Sequence, residues 1–128
     1  MNCIPCLWLL TFVVMVVILD HATALTILLT NEAGIEEAGL QKLRSALKKK
    51  RHKVYTFAPK TDMSGMGAAL NMPEVTIEQH GPPSEKMWAV QGYPSTAVLV
   101  GLAKMEHEPD LVRWWAGVFC VCLYVWVC

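Results

Sequence analysis

Apolar residues fall into short blocks of two different periods along the middle of this chain, and into solid runs at its two ends. Leu25 to Leu29 (Leu-Thr-Ile-Leu-Leu) predicts a short strand covered on both faces, because it does not alternate with polar residues. Thr30-Asn31-Glu32-Ala33-Gly34 is turn chemistry. From about Glu36 to Arg51 the pattern is helical, with Leu40, Leu43, Ala46 and Leu47 forming one apolar face. Glu36 and Glu37 open that helix and Lys48, Lys49, Lys50 and Arg51 close it, so both ends complement the helix dipole. Val54 to Ala58 predicts a second strand, ended by Pro59 and followed by a small, polar loop from Lys60 to Gly67. Val75 to Gln79 and Met87 to Val90 predict two more strands around the turn Gly81-Pro82-Pro83-Ser84. Pro94 to Leu102 fits a helix with proline in its first turn.

Strand, helix, strand at this spacing is a βαβ unit, whose crossover is right-handed in nearly all known cases. The fold class expected is α/β, a Rossmann-like parallel sheet with flanking helices. The loops after the first two strands then lie at the same sheet edge, where open α/β sheets bind ligands. Asn31 and Glu32 are therefore expected to face one crevice with Ser64.

Composition narrows the class. The 128 residues suit one domain, and 54% hydrophobic with 17% charged residues excludes a disordered chain. Eleven basic against eleven acidic residues give a formal net charge of zero, so nucleic acid is not an expected partner. The uncharged run from Leu7 to Leu19 is followed by Ala22-Thr23-Ala24, a small-x-small pattern of the kind cut by signal peptidase. Residues 1–24 are read as a signal peptide, which sends the chain into the secretory pathway or out of the cell. An uncleaved anchor that holds it at a membrane is the alternative. Cys120, Cys122 and Cys128 would remain after cleavage, an odd number clustered in the tail and spaced wrongly for zinc. His52, His80 and His107 sit in polar stretches and are expected to face solvent; no Ser-His-Asp or Cys-His arrangement emerges.

Several blocks are more specific. Leu28-Leu29-Thr30-Asn31-Glu32-Ala33-Gly34-Ile35 resembles the opening of the SurE family, usually Leu-Leu-Thr-Asn-Asp-Asp-Gly-Ile or Tyr. Ala38-Gly39-Leu40, Ala58-Pro59 with Ser64-Gly65, Val90-Gln91-Gly92-Tyr93-Pro94 and Pro109-Asp110-Leu111-Val112 follow in the family's order. The resemblance spans Leu25 to Val112 and implies a three-layer SurE-like fold. It also implies a phosphatase that hydrolyses nucleoside monophosphates with Mg²⁺ or Mn²⁺. In such enzymes the cation is held by two adjacent aspartates after the first strand, a loop serine and a later asparagine, and it polarises the phosphoryl group and activates water.

Carried onto this sequence, the resemblance assigns Asn31 and Glu32 as catalytic, Ser64 and Gly65 as cofactor-binding, and Glu32 and Ser64 as metal ligands. Ala33 stands where the second aspartate would be and has no donor atom. Tyr93, Thr96 and Ala97 depart from the family's Thr, Asp and Cys. Where the family continues Ser-Gly-Ile-Asn after Val112, this chain reads Arg113-Trp114-Trp115-Ala116. Glu36 and Glu37 are near enough in sequence to replace a lost carboxylate, or are ordinary first-turn acids.

The domain layout expected is a partial SurE-like domain at 25–112 and a divergent apolar tail at 113–128. That tail is either the product of splicing or a shifted frame, or a buried terminal strand. Truncation would leave a sheet edge unprotected, and self-association through that edge and the tail is expected. Two classes of function remain: a metal-dependent phosphatase, weak or inactive, and a non-catalytic secretory or membrane-associated chain.

Overall fold

The computed structural model describes residues 24–66, 68–71, 74–116 and 119–123, with backbone alone at 116 and 119–123. Strand β1 (Thr26–Asn31) pairs in parallel with β2 (Lys53–Pro59) on one side and β5 (Leu111–Ala116) on the other. Strand β4 (Met87–Val90) continues the parallel set beside β2. Two antiparallel strands close the outside, β3 (Ile77–Gln79) against β4 and β6 (Phe119–Leu123) against β5. The order is β3-β4-β2-β1-β5-β6. The fold is the expected α/β class, with β1 and β2 as adjacent parallel strands.

Helix α1 (Ala38–Lys49) crosses from β1 to β2, and α2 (Pro94–Lys104) follows β4. Alternation along the strands sends side chains to opposite faces. On one face Leu29, Val54, Ala58, Met87 and Ala89 pack with Leu40 and Leu43 of α1. On the other, Leu28, Phe57, Val90 and Val112 pack with Ala97 and Val98 of α2. Helix, sheet and helix make three layers, which is why β1 reads as apolar on both faces.

Element boundaries differ from the sequence reading for local reasons. Helix α1 begins two residues after Glu36 because Glu37 caps it: the Glu37 backbone is extended, and its Oε1 and Oε2 accept from Gly39 N at 2.7 Å and Leu40 N at 2.6 Å. Val75 and Thr76 precede β3 instead of pairing within it, although Val75 still packs into the α2-side core. The first residues of the tail form a strand. Strand β5 runs through 112/113, placing Trp114 beside Thr30 and Trp115 beside Asn31, and it pairs antiparallel with β6. Trp114 and Trp115 therefore have a sheet to pack on. Val112 packs into the α2-side core and Trp115 onto the α1-side core, so apolar residues are accommodated on both faces of β5. Residues 124–128 lie outside those described.

A polar cluster pins α1 to the short 3₁₀ turn Pro83–Glu85. Buried Arg44 donates to both the Glu85 carboxylate and its carbonyl, and Lys48 Nζ reaches the same carboxylate at 2.8 Å. The hydrogen bond from Lys48, then that from Arg44, pulls the Glu85 carboxyl from 4.5 down to about 2. A depressed carboxyl stabilises the fold above its unfolded pKa and ceases to do so as pH falls through its folded one. The urea midpoint is therefore expected to fall between pH 4.5 and pH 2. In Glu85→Gln that slope should flatten, and the two curves should meet near pH 2. Parallel curves would show that the cluster is not formed.

Candidate functional site

Three loops meet at the carboxyl edge of the parallel strands, following β1, β2 and β4. Their backbones hold one another. Met63 N donates to Glu32 O at 2.8 Å, Ile35 N to Pro59 O at 2.8 Å, and Lys60 N to Val90 O at 2.8 Å. Gly34 makes this close approach feasible. Its φ is +100°, and a Cβ there would stand 3.2 Å from the carbonyl carbon of Thr61. The expected convergence of the Asn31–Glu32 turn with the Ser64 loop is thus a backbone fact.

Asn31 is wholly buried at the end of β1. Its Nδ2 donates to Gly34 O at 2.7 Å and shapes the turn, while its Oδ1 is buried without a protein partner. Glu32 and Ala33 are half-exposed on that turn. Ser64 and Gly65 are exposed on the facing loop, and Gly65 has open space where a side chain would be. Ser64 donates from Oγ at 2.6 Å and from N at 2.8 Å, both to Asp62 Oδ1. These bonds, the hydroxyl's first, hold the Asp62 carboxyl below its ordinary range. Sequence reasoning passed over Asp62. Its signal was the Asp-x-Ser spacing, which favours a side chain closing onto the backbone two residues on.

Sequence reasoning also missed a cleft of about 400 Å³ lined by Met63, Met66, Asn71, Gln91, Gly92 and Tyr93. Asn71 braces it: Oδ1 accepts from Tyr93 N at 2.7 Å, and Asn71 N donates to Thr96 Oγ1 at 3.0 Å. Other candidates lie elsewhere. Glu37 is spent on the cap of α1, and Glu36 is exposed within 3.4 Å of His80 Nε2. His80 and His52 are half-buried instead of freely exposed, and His52 Nδ1 accepts from Leu25 N at 3.2 Å. His107 is exposed, as expected.

The donors at this edge are all oxygens, which suits a hard cation such as Mg²⁺ or Mn²⁺. They do not complete a site for one. Ala33 presents a methyl group, which leaves Glu32 as the one carboxylate on the β1 turn, while the Ser64 oxygen and the buried Asn31 Oδ1 keep their lone pairs. Among the described residues no three of His, Cys, Asp and Glu are grouped to hold a metal. Such a cation needs several oxygen ligands and balancing negative charge at once.

Comparison with known proteins now bears on this edge. The model of the family described as "Survival protein SurE" matches residues 27–113. A 5'-nucleotidase SurE from Methylorubrum extorquens is 37% identical over 89 residues, covering 67% of this chain and 34% of that protein. One from Lawsonia intracellularis is 40% identical over 91 residues, covering 69% and 36%. The crystal structure of the SurE protein from Aquifex aeolicus superposes with a TM-score of 0.62 at 30% identity, over 70% of this chain and 36% of that one. The chain thus spans about a third of the length of these relatives.

These relatives correct the localisation expected from the sequence, secreted or membrane-anchored. They are named 5'-nucleotidase SurE, and the family match runs over residues 27–113. Among the described residues no helix is long and apolar enough to cross a membrane, and residues 1–23 lie outside them. Matched by the family model over residues 27–113, and similar in fold to a SurE crystal structure over 70% of its length, this chain belongs to the SurE family.

Proposed function

We propose that the carboxyl-edge crevice takes the phosphate end of a nucleoside monophosphate, and that this chain hydrolyses it weakly or not at all. The observation that carries the reading is the 2.8 Å bond from Met63 N to Glu32 O, which joins the Asn31–Glu32 turn to the Ser64–Gly65 loop. Relatives that carry these blocks are named 5'-nucleotidases. In this reading the exposed Ser64 hydroxyl and the open space at Gly65 let a phosphate approach the loop. Asn31 shapes the β1 turn, and Glu32 supplies its carboxylate. Glu32 and Ser64 would be the protein's two donors toward Mg²⁺ or Mn²⁺, too few to balance and fix the ion, so turnover is low.

The test is release of inorganic phosphate from AMP with Mn²⁺, with and without chelator. Release close to the protein-free background is expected. Robust, chelator-sensitive turnover by the unmodified chain would overturn the claim of weak or absent hydrolysis. The second reading, a chain that binds nucleotide without hydrolysing it, is favoured by Ala33. It predicts that AMP binds and stays intact.

A further inference from the structure

The cleft beside the Ser64 loop has a chemistry different from that of the loop itself. Met63 and Met66 bracket Ser64 and Gly65 in sequence, and both line the cleft with Tyr93, Gly92, Asn71 and Gln91. None of these six carries a charge, so no side chain there offers an anion an ionic partner. Two thioethers and a phenol ring make soft, polarisable walls suited to a planar aromatic ligand. Two side-chain amides exclude a purely aliphatic one. The Oδ1 of Asn71 is taken by Tyr93 N, which leaves its Nδ2 hydrogens without a partner among the described residues. The side-chain amide of Gln91 is likewise unpaired among them and exposed. A cleft of about 400 Å³ falls within the range of small-molecule sites.

We infer that this cleft seats the base of the nucleotide, with the ring against Tyr93 and the methionines, and with Gln91 and Asn71 meeting the ring's polar edge. A glutamine amide pairs bidentately with an amino group beside a ring nitrogen, the pattern adenine presents. Tyr93 is a fixed platform, because its N–H is held by Asn71 and its carbonyl accepts Ala97 N at 3.0 Å in the first turn of α2. Asn71 works through Gly92 as well: a Cβ at Gly92 would stand 2.7 Å from Asn71 Oδ1, so this position stays bare. The inference rests on the reading that the adjoining Ser64 loop takes the phosphate, and it adds that base recognition needs no cation.

Calorimetry on the full chain in chelator, with AMP, adenosine, ribose 5-phosphate and inorganic phosphate as probes, tests it. Adenosine is expected to bind within about tenfold of AMP, and ribose 5-phosphate and phosphate more than tenfold more weakly. Tyr93→Ala should weaken adenosine about tenfold, of the order expected for losing one stacked aromatic. Tyr93→Phe should retain binding. Gln91→Leu, at an exposed position that the fold does not need, should weaken adenosine several-fold. Adenosine binding that is absent, or unmoved by both Tyr93→Ala and Gln91→Leu, overturns the inference, as does ribose 5-phosphate matching AMP. Failure of the phosphate reading looks different: adenosine binds as described, and AMP binds no more tightly than adenosine.

Discussion

Replacing Phe57 by alanine is expected to lower the free energy of unfolding by about 3–5 kcal/mol, the usual cost of truncating a buried aromatic ring. Phe57 lies on β2, between β4 and β1, and is 1% exposed. Its ring stacks on Trp88 at 4.5 Å between centroids and 12° between planes. On the helix side it meets Gly101, where an added Cβ would come 2.8 Å from Leu28 Cδ1 and 3.0 Å from Phe57 Cδ2. Helix α2 therefore rides close to the sheet because position 101 has no side chain, and the ring fills the space beneath it. A small domain has only about 5–15 kcal/mol of stability in total, so this change approaches global unfolding. Gly101→Ala should destabilise the parent chain, and less so in the Phe57→Ala background where room has been made. Urea denaturation followed by tryptophan fluorescence gives all four terms of that cycle. A loss under about 1 kcal/mol for Phe57→Ala would mean that α2 does not pack where it is described.

The β1–α1–β2 unit was legible because each of its signals is local. The run ending at Leu29 has no polar alternation, the Leu40–Leu43–Leu47 stripe has helical period, and Pro59 closes β2 as its last pairing position, opposite Val90. Glu37 as the cap of α1 was within reach, but its acid was read as a first-turn charge rather than as a hydrogen-bond acceptor for two backbone N–H groups. What escaped the sequence were features made by distant segments. Asn71 braces Tyr93 across 22 positions, and Arg44 meets Glu85 across 41. No periodicity records such pairs. The tail was left between two readings, because apolar residues in series describe a strand covered on both faces as well as they describe a foreign segment; the pairing of β5 with β1 and β6 shows the strand. The crevice was half legible. Family likeness pointed to Asn31, Glu32, Ser64 and Gly65, while Asp62, which holds Ser64, carried no family signal and only the local Asp-x-Ser spacing.

Restoring family chemistry at the crevice should raise activity more than any single change lowers it, and the restoration should be cooperative. Glu32→Asp with Ala33→Asp supplies the adjacent carboxylates that the resemblance calls for. Arg113→Ser, Trp114→Gly, Trp115→Ile and Ala116→Asn supply the Ser-Gly-Ile-Asn continuation after Val112. The sheet explains why both sets belong together: Trp115 lies in register beside Asn31, so position 116 arrives at the same carboxyl edge as the turn at 32 and 33. A hard cation must find its oxygen ligands simultaneously, because partial sites neither balance its charge nor replace its water. Either set alone is therefore expected to leave cation binding and phosphate release near the parent's. The six changes together should raise Mn²⁺-dependent release from AMP on the order of a hundredfold or more, since a misplacement of about 1 Å can itself cost that factor. Mn²⁺ affinity measured by calorimetry, without substrate, separates a repaired site from a general gain in folding. The tryptophans pack into the sheet, so the thermal midpoint of each variant must be followed alongside. If the combined variant folds and binds Mn²⁺ no better than the parent, the crevice is not a disabled cation site.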